Sequence, residues 1–262
     1  MKRQLNILIF FTIVVSSCLG SFSEGELLFR NGEYEKAISE FSKTLFVHVT
    51  DIKSLHLRAR AYEELENFEE AFEDYKRIIN IDPNYAQAHA GIGKLYWKMD
   101  NFREAEKHLL IAAKHDGGDF EILFLLGRAM LQNENYKSAE EFLGYAKEKR
   151  PKDARVYFYQ GMARSALGDT FGAAGSFNMS LSLDPDNLVT LYNLGIANMA
   201  TGAYHWALED FEALLKKKPD HVDALARRGM CKKVLRNPTA CNDIIQAANR
   251  GSEIARMNME GC

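Results

Sequence analysis

The sequence predicts an all-α solenoid of about seven 34-residue helix-turn-helix units, and three series of residues predict it. Alanines recur at Ala37, Ala71, Ala105, Ala139, Ala173 and Ala207, each 34 residues after the last, with Cys241 in the next place. Twelve residues ahead of each stands another small residue: Gly25, Ala59, Gly93, Gly127, Gly161, Gly195 and Gly229. Two small residues per unit mark a close helix crossing, and a fixed period of this length means stacked supersecondary units. Prolines set the frame. Pro83, Pro151, Pro185 and Pro219 share one position, twelve residues after the alanine, where a helix has to stop.

Composition agrees and excludes several classes. At 262 residues, 47% hydrophobic and 26% charged, the chain can bury a sizeable core and is neither a disordered tail nor a disulfide-held miniprotein. Five prolines and 18 glycines favour helix over a turn-rich β architecture. A formal charge of −3 leaves no net basic field to gather phosphates, so non-specific nucleic-acid binding is not expected.

Residues 1–17 are expected to be a signal peptide. Lys2 and Arg3 precede the apolar run Leu5 to Val15, and the small residues Ser16 and Ser17 lead into Cys18. The run is about half of the roughly 20 residues a membrane-spanning helix needs. Val15-Ser16-Ser17-Cys18 resembles a bacterial lipobox, which implies a diacylglycerol thioether on Cys18 and anchoring to a membrane. Leu19 in place of aspartate implies the outer membrane by the same resemblance. The alternative is an ordinary signal peptide cut a few residues later and a soluble secreted protein.

Residues 18–255 hold the seven units and 256–262 a tail. In each unit a short polar turn, such as Asn31-Gly32-Glu33-Tyr34 or Asn133-Glu134-Asn135-Tyr136, separates two helices. The frame weakens at Phe46-Val47-His48-Val49 and at Gly117-Gly118, which stand where the proline should be. Both read as turns, the second as a helix stop made by glycine's backbone freedom. The seventh unit lacks the proline and reads as the cap of the array. There, Cys241 is expected to open a helix running to about Arg250, Gly251 to break it, and a short helix from Ser252 to return antiparallel. Cys241 and Cys262 then become neighbours, and a disulfide between them closes a loop worth about 3 kcal/mol in the chain-entropy model. Cys231 falls at a core register otherwise filled by Ala61, Leu95 or Ala129.

The small pair, followed four residues on by Phe41, Tyr75, Leu109, Leu143, Phe177 and Phe211, resembles the tetratricopeptide repeat. The resemblance covers nearly the whole mature chain and implies antiparallel helix pairs stacked into a right-handed superhelix. The ending, from Ala240-Cys241-Asn242-Asp243 through Gly251 and Ala255 to Cys262, is similar to that of tetratricopeptide lipoproteins of Bacteroidota. Such proteins bind partners with the concave face lined by the first helix of each unit. Carried over by position, this implies a basic stretch of Lys53, His56, Arg60, Lys94, Lys98 and Arg128 with Trp97 beside it, which reads as a groove for an acidic segment or, at least as well, as a solvated helix face balanced by Glu63 and Glu64. It also implies an apolar strip of Phe124, Phe158, Met162, Tyr192, Ile196 and Met199, which reads equally as a partner site or as packing. The lysine and asparagine of the dicarboxylate clamp found in Hsp70 and Hsp90 co-chaperones are replaced by Phe22 and Glu26, so that mode is not expected.

No chemistry stands out. The seven histidines are scattered, no HExxH, nucleophile elbow or phosphate loop occurs, and the cysteines form no CxxC pair. His89 stands where Leu55, Leu123, Tyr157 and Leu191 stand in other units and is expected to pack. The expected function is therefore a non-catalytic scaffold with no cofactor and no metal, tethered in the cell envelope, with a protein or peptide partner and no small-molecule substrate. A self-associating spacer is the alternative.

Overall fold

A computed structural model describes residues 21–262, and the signal segment and Cys18 lie outside the described residues. The described residues form fifteen helices and no strand. Seven hairpins follow one another: α1 (Phe22–Arg30) with α2 (Tyr34–Val47), α3 (Ile52–Glu64) with α4 (Phe68–Ile81), α5 (Ala86–Lys98) with α6 (Phe102–His115), and α7 (Phe120–Gln132) with α8 (Tyr136–Lys149). Then come α9 (Ala154–Ala166) with α10 (Thr170–Leu183), α11 (Leu188–Ala200) with α12 (Tyr204–Lys217), and α13 (Val222–Val234) with α14 (Ala240–Asn249). A short α15 (Glu253–Met257) follows.

Within each hairpin the first helix ends in a Schellman motif. In the first turn Glu33 N–H donates to Leu28 O at 2.9 Å and Gly32 N–H to Phe29 O at 3.1 Å. The left-handed residue recurs every 34 positions, at Gly32, Glu66, Asp100, Glu134, Gly168, Gly202 and Arg236. Only some of these are glycine, so the hydrogen-bonded turn holds φ positive even against a Cβ. Between hairpins the next first helix is capped by a side chain except at Tyr85: Asp51, Asp119, Asp153, Asn187 and His221 each accept from a backbone N–H two or three residues on.

The two small-residue series meet across each hairpin. An added Cβ at Gly25, Gly161 or Gly195 would lie 2.7, 2.6 or 2.7 Å from the ring of Phe41, Phe177 or Phe211. The glycine is thus the socket for the aromatic four residues beyond the repeat's alanine, and a side chain there overpacks the crossing.

Three local readings are corrected. Phe46 and Val47 belong to the last turn of α2, and the chain leaves the helix at His48. Gly117 and Gly118 do not have positive φ, so glycine's freedom is not what stops α6. Instead Asp116 adopts φ −139° and ψ 67°, close to the conformations of Asp82 and Asp184 that precede prolines, and the turn is the same one. In the last hairpin Asn237-Pro238-Thr239 forms an extra tight turn, with Ala240 N–H donating to Asn237 O at 3.1 Å, and α14 starts late. Ala240, not Cys241, then fills the alanine place and is buried. Cys241 turns about 100° off the core face.

The chain divides into two compact units, the first ending at Ala129 and the second starting at Met130. The core of the first gathers Leu45, Leu55, Tyr75, Ile78, Ile92 and Leu95. The second is cored by Phe177 and Leu194, and towards the cap by Phe211, Leu214, Leu225 and Ile244. The buried thiol of Cys231 sits in that last cluster. Burial pushes it up to about 11, so it stays a neutral thiol and behaves as a small hydrophobe.

Candidate functional site

In the first unit the first helices place the expected basic residues on one face. Lys53, Arg60, Lys94 and Lys98 are exposed and His56 is half-buried, one turn along α3 from both Lys53 and Arg60. His56, Arg60, Glu63, Lys94, Asp119 and Glu121 border a cleft of about 270 Å³. Of the two readings of the basic stretch, the lining favours the balanced face over the positive groove. Four carboxylates, including Glu64, share the cleft with two cations. His56 adds no third: burial, then the charges of Arg60 and Lys94, push it down to about 4, and it is neutral at pH 7. Tyr75 donates its hydroxyl to Glu63 at the cleft wall.

Aromatic rings take up several of the remaining cations. Arg60 lies 5.0 Å from the ring centre of Phe29, and Lys98 lies 4.3 Å from that of Phe68. Arg128 stands 4.4 Å over Trp97 and 5.7 Å from Phe124. Phe124 itself is 3% exposed and stacks on Phe120 at 5.5 Å. Of the two readings open for the strip, Phe124 takes packing and is a core residue. His89 is also buried, with Nδ1 3.1 Å from Nδ1 of His108 and Nε2 3.1 Å from Pro83 O. Among the described residues no group of histidine, cysteine and carboxylate side chains could hold a metal ion.

In the second unit the strip divides. Phe158 is half-buried, with its ring 6.0 Å from Phe177, and packs on that core. Tyr192, Ile196 and Met199 lean on the core around Phe211, and the Tyr192 hydroxyl accepts from Arg227 Nε at 2.9 Å. Met162 is exposed and keeps its side chain available.

A second kind of cleft lies on the second-helix side, away from every position expected to touch a partner. Arg58 on α3 donates from Nε and Nη2 to both oxygens of Asp74 on α4, each at 2.7 Å, and Asp74 is buried. Tyr62, Glu70, Glu73 and Arg77 border this cleft of about 380 Å³. Four periods on, the same positions read Leu194 for Arg58, Asn198 for Tyr62, Trp206 for Glu70, Glu209 for Glu73 and Asp210 for Asp74. There the cleft is about 620 Å³ and Phe171 joins its wall. Asp210 accepts from Asn198 Nδ2 at 2.7 Å. Burial, only partly opposed by that bond and reinforced by Glu209, pushes its carboxyl up to about 6. The period carried the signal: an aspartate repeated at one register with its arginine replaced by leucine.

At the cap, Arg228 and Lys232 hold Asp243 at 2.7 and 2.8 Å. Burial alone would raise that carboxyl, but the two cations outweigh it and keep it below the ordinary range. Cys241 and Cys262 are joined by a disulfide with Cα atoms 5.2 Å apart, and Lys233 donates to Glu260 O beside it.

Comparison with known proteins identifies the repeat. A TPR repeat model matches residues 59–100 and a tetratricopeptide repeat model matches 91–154. The crystal structure of YrrB, "a TPR protein with an unusual peptide-binding site", superposes with a TM-score of 0.68 at 24% identity, over 71% of this chain and 95% of that one. A tetratricopeptide repeat protein from Parabacteroides merdae superposes with a TM-score of 0.59 at 15% identity, over 91% and 95%. Hsp70-Hsp90 organizing protein 3 of Arabidopsis thaliana is 28% identical over 100 residues, 38% of this chain and 18% of that protein. The matched stretches span between 13% and 21% of the curated relatives' length. Folds of this kind typically serve as non-catalytic protein-interaction scaffolds, and no catalytic family is indicated. With hairpins of one period from Phe22 to Asn249 and both models in that frame, the chain carries tetratricopeptide repeats and has the fold of a tetratricopeptide-repeat array.

Proposed function

We propose that this chain is a non-catalytic adaptor, exported and anchored in the cell envelope through a lipid on Cys18, that holds a segment of a partner protein against its first helices. The observation that carries the reading is the cleft around His56, Arg60 and Lys94, where successive first helices leave charged side chains of both signs exposed beside aromatic rings. A mixed-charge cleft selects by register: a partner segment must present its own acids and bases in complementary order. The exposed Lys53 and Lys98 extend that surface along the same helix face. The expected compartment is the periplasmic side of an outer membrane, and a soluble secreted form is the alternative.

The test is crosslinking in native cells, followed by capture through a C-terminal tag and mass spectrometry, with wild type, Arg60→Glu/Lys94→Glu and Cys18→Ala compared. Charge reversal at the cleft should remove the captured partner while the helical circular dichroism spectrum is kept. Cys18→Ala should lose the lipid-modified N-terminal peptide and leave the membrane fraction. A partner captured equally by the reversed cleft overturns the site, and an unmodified Cys18 in the wild type overturns the anchor.

A further inference from the structure

The cleft lined by Phe171 and Trp206 shares no residue with the positions expected to touch a partner. At this register the chain solves one problem several times. A carboxylate on the second helix is drawn into the crossing, and a cation from the first helix meets it. Arg58 meets Asp74 with both guanidinium edges at 2.7 Å. In the last hairpin the one-residue slip brings Asp243 to the same place, and Arg228 meets it with the same two bonds at 2.7 Å, helped by Lys232. In the fifth hairpin Ser176 replaces the acid, and Arg164 still reaches its hydroxyl at 2.9 Å.

The sixth hairpin keeps the acid and omits the cation. Leu194 is buried and Asn198 is the polar partner of Asp210; among the described residues no lysine or arginine lies within ion-pair distance of that carboxylate. The surroundings change in a concerted way. Trp206 takes the place of Glu70 and is 66% exposed, and Phe171, which also lines the cleft, is 75% exposed. The cleft between them, about 620 Å³ against about 380 Å³ where Arg58 sits, is within the range of sites that receive a side chain or small ligand. Burial without a counter-charge holds the Asp210 carboxyl at about 6, so most of it is ionised at pH 7.5 and a cation arriving there gains charge pairing that offsets the burial cost. Two exposed rings and a carboxylate, one of whose oxygens accepts from Asn198, line a single cleft, a set that suits a flat cation.

We propose that the cleft bounded by Phe171, Trp206 and Asp210 is a binding site for an arginine side chain presented by a partner protein, which supplies from outside the guanidinium that Arg58 and Arg228 supply from within. Arginine fits better than lysine because both in-chain precedents pair two edges of a guanidinium with two carboxylate oxygens, and a planar group can lie between aromatic walls. The backbone around the side chain adds the rest of the affinity, so one arginine in a short peptide should bind with a Kd on the order of 1 mM.

The experiment uses the full chain, isotope-labelled and checked for folding by its amide spectrum. At pH 7.5 it is titrated with a short capped glycine-serine peptide carrying one central arginine, and with the same peptide carrying citrulline or lysine. The arginine peptide should shift the Trp206 indole N–H and the Asn198 side-chain amide and leave the Trp97 indole unmoved. Citrulline, which keeps the shape and lacks the charge, should bind at least about tenfold more weakly, and lysine several-fold more weakly. Asp210→Asn should abolish the shifts. Leu194→Arg should block them by filling the cleft as Arg58 fills its own; where that variant does not fold, the isosteric Asp210→Asn tests the same contact. Equal binding of the citrulline or the lysine peptide, unchanged binding to Asp210→Asn, or shifts confined to other residues would each overturn the assignment.

Discussion

The clefts at Asp74 and Asp210 occupy the same register four repeats apart, share the carboxylate, and differ in the residue that faces it. At Asp74 the first helix supplies Arg58 and the carboxylate is fully engaged. At Asp210 it supplies Leu194, and the carboxylate rests on one amide beneath two exposed rings. Loss of the arginine, together with Asn198 for Tyr62 and Trp206 for Glu70, therefore converts an internal strut into an open recess. A repeat array allows this because each hairpin is stabilised by itself and its neighbours, so a locally unfavourable charge is tolerated where adjoining crossings are sound.

The comparison breaks most severely at the strut. Arg58→Leu leaves the buried Asp74 with only the longer contact from Arg77 at 3.5 Å, and urea unfolding should show a loss of about 3 kcal/mol. Next is the scaffold that makes the two registers equivalent. Gly195→Ala pushes a methyl into Phe211, beside Leu194, and should cost about 1–3 kcal/mol in the same assay.

The third change has the opposite sign. Asp210→Asn removes a carboxylate whose partner is already an amide, and should stabilise the protein at pH 7 by about 1 kcal/mol, less than the full shift implies because part of the group stays in water. For an acid raised from 3.8 to about 6, the stabilising contribution is complete below 3.8 and is lost as pH rises through about 6. The advantage of the variant should therefore shrink as melting is followed from pH 7 down to pH 4. Asp243, held low by Arg228 and Lys232, runs the other way: its contribution is present above 3.8 and disappears as pH falls further. The smallest effect tests the frame itself. Gly117→Pro restores the residue found at four other turns and should raise stability by about 0.5 kcal/mol through the unfolded chain, read as a small rise in Tm.

The array is legible in the sequence because period, small residues and prolines all report backbone geometry, and geometry repeats. The slip at Ala240 is not, since nothing in the alanine series tells whether Asn237-Pro238 starts a helix or adds a turn before it. The groove positions are half legible. Position places Arg60 and Lys94 on the surface, yet whether a ring such as Phe124 faces solvent or core depends on the size of its neighbours. The charge of the cleft escapes a reading that follows only the basic residues: Glu121 stands at the register of Lys53, Glu63 and Glu64 stand at those of Trp97 and Lys98, and Asp119 arrives from the cap of the next first helix. The Asp210 recess is written in the sequence as a mismatch between repeats, visible only when each residue is read against its counterparts instead of against a family pattern.

The slipped start of α14 also bears on how such a chain can lengthen or shorten over generations. The hairpins ahead of it share one phase, so duplicating or deleting a stretch of 34 codons among them keeps each small residue over the large side chain it faces and every turn in step. The final hairpin is out of phase by a residue and tied to the chain end by Cys241 and Cys262. A copy of it placed in the interior would offer the next hairpin a rotated face and a thiol without its mate. Variation in repeat number should accordingly accumulate upstream of Arg236, with the terminal unit passed on as a single, uncopied block.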